Sequence, residues 1–221
     1  ITFLGIYAVL CLFISTVWFS YIWWLFVIIT PILIVFYDMH GEIVVDGAQD
    51  NLTGVAVAVE MAKVFSQNKL TKTRLRLISF GSEEAALRGS TAYANTHKNQ
   101  LQQENAFLFN LDTIKEKEHL TIVTTEINTF VSYDKKHVQL VENAFNDTNT
   151  PYKKLPIAVG ATDASAFHIA GLPAVCVIGM QSEKLDPCYH TRLDTVDLIE
   201  EEALQSMKKV LINFIETWDR K

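Results

Sequence analysis

Between Ile1 and Tyr37 there is no Asp, Glu, Lys, Arg or His. That absence excludes an ordinary amphipathic surface segment, which needs a charged face. A single straight helix of this length would reach about 55 Å, well beyond a hydrocarbon core of about 30 Å. Two short membrane spans joined by a turn near Thr16 to Tyr21 fit better. Trp18, Trp23, Trp24 and Tyr37 are of the types that settle at a membrane interface, and Pro31 is placed to kink the second span. A buried core hairpin or a cleaved signal peptide is the alternative, although the run is far longer than a signal-peptide core. Cysteine is scarce as well: of three, Cys11 lies in the apolar run, so only Cys176 and Cys188 remain as a pair, which excludes a disulfide scaffold. With 19 basic against 25 acidic residues and a net charge of −6, there is no basic stripe to neutralise phosphates, so nucleic acid is not an expected partner. The first charges after the run are Asp38, Glu42 and Asp46, and no Lys or Arg precedes Lys63. Such a flank argues against a cytoplasmic domain.

What is present is enough for one well-packed domain: 221 residues, 49% of them apolar, bury a substantial core. The organisation read from composition is an apolar membrane segment over 1–37 and a folded domain over 38–221. In the latter, helical and strand periodicities alternate, the pattern of an α/β domain whose sheet is covered on both faces. Leu52 to Phe65 predicts a helix capped by Asp50 or Asn51, with Leu52, Val55, Val59 and the Ala62, Val64, Phe65 group turned inward. Arg74 to Phe80 alternates like a strand of a largely buried sheet. Phe107 to Leu111, Leu120 to Thr124 and Pro173 to Ile178 are further strand candidates, the first two separated by a charged turn at Lys115 to Glu118. A last helix starts near Glu200 and spaces Leu204, Met207, Leu211, Phe214, Ile215 and Trp218 by three and four.

Acidic residues gather at the ends of these elements. Asp50 stands directly before a helix, where an N-cap carboxylate is the plain explanation. Glu83 and Glu84 follow a strand and a Gly-Ser turn, a place where α/β folds build sites. Two adjacent carboxylates repel in one apolar space. A divalent ion relieves that for one and leaves the other as a base. Asp112 ends the Phe107 to Leu111 run, where a turn or cap Asp is the alternative. His190, with Asp194 four positions on, is either a satisfied loop histidine or a ligand with its orienting group. Together these are three carboxylates and an imidazole, donors zinc accepts, plus a spare Glu as general base.

These residues also carry a family resemblance. Gly47-Ala48-Gln49-Asp50-Asn51-Leu52-Thr53-Gly54, Phe80-Gly81-Ser82-Glu83-Glu84-Ala85-Ala86-Leu87-Arg88-Gly89-Ser90, Asn110-Leu111-Asp112, Thr162-Asp163 with Phe167 and Gly171-Leu172-Pro173, and Tyr189-His190-Thr191 with Asp194-Thr195 resemble the two-zinc aminopeptidases of metallopeptidase family twenty-eight. That family includes glutamate carboxypeptidase-like enzymes and glutaminyl cyclase relatives. The likeness runs from about Asp46 to the C-terminus in the family's order. It implies a mixed, mostly parallel sheet sandwiched by helices, with the site at strand ends. By position, Asp50 would bridge two zinc ions, Glu84 and His190 would complete one, and Asp112 would belong to the other. Glu83 would be the general base, with Asp163 and Asp194 orienting the site. The implied activity is hydrolysis of N-terminal residues from peptides, with a single-zinc acyl transfer or an inactive membrane-anchored scaffold as the alternatives.

The chain also departs from the family pattern. Family members carry His-x-Asp upstream of the bridging Asp, and the only counterpart here is His40-Gly41-Glu42. The chain, starting at Ile1 inside an apolar segment and without Met, is expected to lack its N-terminal part, so that it holds one well-formed metal position and not two. Some membrane-embedded relatives resemble this arrangement, with an apolar hairpin between His-x-Asp and Asp50. Ligands on either side of a membrane insertion must meet on one side, which requires an even number of crossings. The expectation is a membrane-tethered peptidase with its domain outside the cytoplasm. Ala86 stands where Gly is usual and Ala164 where His is common.

Overall fold

The computed structural model describes residues 16–38, 44–181 and 186–221. The chain divides into two compact units, Ile1–Val44 and Val45–Lys221.

In the first unit, helix α1 (Thr16–Asp38) contains Pro31. The turn expected at Thr16 to Tyr21 is helical instead. No Gly, Pro, Asn or Asp occurs between Thr16 and Thr30, so nothing there favours a turn over continued helix. Trp23, Trp24, Leu25, Ile28, Leu33 and Ile34 are all exposed. Among the described residues no helix is long and apolar enough to cross a membrane. The expected hairpin gains no support from the described residues, and its first span lies outside them.

The second unit runs through an irregular turn (Ala48–Leu52), α2 (Thr53–Gln67), α3 (Arg88–Gln103), β1 (Leu108–Ile114), β2 (Thr121–Glu126), β3 (Val131–Ser132), α4 (Lys135–Asp147), β4 (Lys153–Ile157), α5 (Asp163–Ile169), β5 (Ala174–Gly179) and α6 (Glu201–Asp219). The sheet order is β1-β5-β2-β3, with β4 also paired to β2. Its long ladders, β1 with β5 and β2 with β4, are parallel. The short ones, β2 with β5 and with β3, are antiparallel. Two helical groups flank this mixed sheet: α2, α6 and α4 touch in succession, and α3 packs on α5. β5 is buried at every position, as expected of a strand covered on both faces. Phe145, Met61, Ile122, Val177 and Met207 are wholly buried around it, each large apolar side chain contributing roughly 1.5–3 kcal/mol of transfer free energy.

Two expectations about α2 and its neighbour need correcting. The buried face of α2 is Thr53, Gly54, Val57 and Met61, while Leu52, Val55 and Val59 are exposed. The helix is apolar on two sides, and Gly54 decides between them. A Cβ there would lie 3.0 Å from the Leu111 carbonyl oxygen, so glycine alone allows this side to close on β1. The second correction concerns Arg74 to Phe80, which joins no ladder. Alternation predicts extended backbone, but a strand also needs a neighbour, and β1, at the sheet end, pairs only with β5. The segment instead lines a cleft of about 1090 Å³ together with Val55, Val59 and β1. Cys176 and Cys188 are both free thiols.

Asp219, closing α6, ties this wall down. It accepts the backbone N–H groups of Thr71, Lys72 and Thr73 at 2.7–2.9 Å and the Thr71 hydroxyl at 2.9 Å. These donors, the Thr71 N–H first, hold its carboxyl well below the usual aspartate range. A depressed folded value means the stabilisation is present above the unfolded value of about 3.9 and is lost as pH falls through the folded one. Asp219→Asn is expected to flatten the acid limb of the stability profile below about pH 4, read by thermal unfolding across pH. An unchanged acid limb would show that the clamp contributes nothing.

Candidate metal centre

The turn before α2 separates the tasks of two neighbours. Asn51 Oδ1 accepts the Gly54 N–H at 3.1 Å and its amide donates to the Leu111 carbonyl at 2.8 Å. Asn51 thus caps the helix and fastens it to β1, which leaves the Asp50 carboxylate free of capping. The Asp50–Asn51 peptide bond is cis. Asp194, buried, accepts the Gln49 N–H at 2.7 Å and the Asp50 N–H at 3.2 Å, so it fixes the backbone that aims Asp50.

Glu83 and Glu84 sit on a tight turn closed by Leu87 N–H to Glu83 O (2.8 Å) and Arg88 N–H to Ser82 O (3.1 Å). Ser82, Ala86 and Leu87 all have positive φ there. Gly89 makes the turn passable, because a Cβ on it would lie 2.1 Å from the Gly81 carbonyl oxygen. The glycine usual at position 86 also finds its reason, since Ala86 has φ 66, a left-handed conformation that L-residues resist.

His190 reaches both acids. Its Nε2 lies 3.0 Å from Asp50 Oδ2 and 3.0 Å from Glu84 Oε1. Among the described residues, Asp50, Glu84 and His190 form a group whose donor atoms all lie within 4.8 Å of one another. The Tyr189 ring stacks on the imidazole at 3.9 Å. Asp112 lies outside this group, inside β1 and not at its end, next to a register shift at Thr113. A turn or cap role for it is therefore excluded. Glu83, Asp112 and Asp163 line the same cleft as Asp50 and Glu84. His40 lies outside the described residues.

The electrostatics follow from this crowding. Burial, then the carboxylates of Asp163, Glu84 and Asp50, push the Glu83 carboxyl up to about 7, with His190 opposing. Burial, then the carboxylates of Asp50, Glu83, Asp163 and Glu126, raise Asp112 well above the carboxylate range. Hydrogen bonding to Asp50 raises His190 against its own partial burial. One Asp163 oxygen is buried without a hydrogen-bond partner. A cluster of acids short of positive charge, with two carboxylates and an imidazole converging, fits a divalent cation. Separations of 3.0 Å are near what donors about 2.0–2.2 Å from one zinc ion require.

Sequence reasoning missed Glu126. Wholly buried on β2, it accepts the Tyr133 hydroxyl, the Thr162 hydroxyl at 2.7 Å and the Thr162 N–H at 2.9 Å, and so fixes the start of α5 next to Asp163. No spacing marks it out, because Thr162, the residue it fixes, is 36 residues away.

The family model of Peptidase family M28 matches residues 32–215. The chain belongs to this peptidase family. It is 27% identical over 165 residues to Aminopeptidase YwaD of Bacillus subtilis, covering 72% of this chain and 35% of that protein. Among solved structures it resembles an aminopeptidase from Aneurinibacillus sp. strain AM-1 (31% identity, TM-score 0.62, 77% of this chain and 39% of that one). It also resembles BSAP, a zinc aminopeptidase from Bacillus subtilis (25% identity, TM-score 0.66, 79% and 43%). The chain thus spans less than half the length of each of these relatives.

Replacing Ala86 by glycine is expected to stabilise the domain by about 1 kcal/mol through relief of the left-handed conformation. The urea midpoint measures it; a lower midpoint would mean the turn carries no such strain.

Proposed function

We propose that this chain is the metal-binding portion of a zinc-dependent aminopeptidase. The observation that carries the reading is the convergence of Asp50, Glu84 and His190 beside Glu83, a carboxyl raised to about 7. Asp50, Glu84 and His190 would hold the ion, and Asp112 is the donor available to a second one. The chemistry such an ion supplies is Lewis acidity toward a peptide carbonyl and toward water.

Glu83 does the proton work. A carboxyl near 7 is basic enough to take a proton from water at one oxygen and acidic enough to deliver it to the leaving amine nitrogen. Burial and the Asp163 charge keep it there, and Asp194 keeps Asp50 aimed through the backbone. The wide cleft beside these groups has room for a peptide. The names of the three relatives given above, each an aminopeptidase, support a substrate with a free N-terminus. Glu83→Gln is expected to lower turnover of such a peptide by about 10²–10⁴-fold while calorimetry still registers zinc binding. An active Glu83→Gln protein would sink the assignment.

We also propose that Ile1–Tyr37 attaches the protein to a lipid bilayer with the peptidase domain outside the cytoplasm. The support is the uncharged run itself, the exposed apolar side chains of α1 and the acidic flank. The protein is expected to stay with the membrane fraction through an alkaline carbonate wash. Release into the supernatant would refute attachment.

A further inference from the structure

Among the described residues, Lys115 is the only buried Lys or Arg. Its Nζ donates to Asp186 Oδ2 at 2.6 Å, and Asp186 is buried too. A buried ion pair is a poor source of stability, because removing both charges from water consumes most of their attraction. Its value lies in geometry, and here the geometry leads to the metal centre.

Lys115 is a fixed post. It follows β1 directly, three residues after Asp112. Its N–H and that of Glu116 both donate to the Gly179 carbonyl, at 3.2 and 2.7 Å, and its own carbonyl accepts the Glu200 N–H at 3.0 Å. The ends of β1 and β5 and the start of α6 are thereby joined at one residue. Asp186, in contrast, belongs to an irregular segment. Its Oδ1 accepts the Cys188 N–H at 2.8 Å and its carbonyl accepts the Tyr189 N–H at 3.2 Å. One carboxylate oxygen thus grips the post while the other folds the turn that delivers His190.

His190 itself has φ 56, a conformation that neighbouring contacts must hold. On its C-terminal side, Asp194 anchors the loop to the Asp50 turn. On its N-terminal side, Asp186 anchors it to Lys115. We propose that Lys115 and Asp186 are positioning residues that set the His190 imidazole against Asp50 and Glu84. The proposal rests on the reading of those three as metal ligands.

The test is zinc calorimetry on the whole chain with Lys115→Met, Asp186→Asn and the double variant. His190→Ala serves as the control, and the visible spectrum of the cobalt-loaded forms reports ligand geometry. Each single change is expected to weaken zinc binding about 10–100-fold and to shift the cobalt bands. The double variant should lose no more than the weaker-binding single one. Asp186→Asn keeps the shape and the Cys188 acceptor, so it remains informative if Lys115→Met does not fold. Unchanged affinity with lowered thermal stability overturns the proposal, as does additive loss in the double variant. A wild-type chain that binds no zinc, or binds it equally well as His190→Ala, overturns the metal reading and this inference with it.

Discussion

Five carboxylates, those of Asp50, Glu83, Glu84, Asp112 and Asp163, line one cleft, and His190 is the group that meets two of them at 3.0 Å. Mutual repulsion in partly desolvated surroundings drives such groups apart or toward protonation. The surrounding structure prevents the first and permits the second. Backbone donors, a capped helix, a turn resting on glycine and two buried carboxylate anchors each hold one member of the cluster. Glu83 and Asp112 take up the remaining tension in their raised carboxyls.

Holding the acids in place draws on groups that do no chemistry. Asn51 takes over the helix cap so that Asp50 is free. Asp194 grips main chain and not side chain, and Glu126 fixes Thr162 next to Asp163. Family membership explains the order of the motifs, and these contacts explain why the motifs extend beyond the residues that could touch an ion.

Much of this was legible in the sequence. The period of three and four in α6 and the continuous apolar run of β5 reflect burial directly, so pattern and structure agree there. Asp50, Glu84 and His190 come together as their motifs imply. Pattern failed where more than one partner was available. The helix α2 is apolar on two sides, and a backbone approach at Gly54 chose the side without Leu52, Val55 and Val59. Arg74 to Phe80 has strand alternation but no adjacent strand to pair with. Lys115 and Asp186 are 71 residues apart, and nothing local to either one predicts that it will be buried.

The seat of the acidic pair is a main-chain contact. Where Gly89 meets the Gly81 carbonyl there is no space for even a methyl group, and main chain, unlike the far end of a flexible side chain, cannot rotate aside. The mutational tolerance of this turn is therefore inverted relative to most of the surface. The carboxylates that line the cleft can be exchanged without disturbing the backbone, whereas the smallest addition at the residue that does no chemistry displaces both of them.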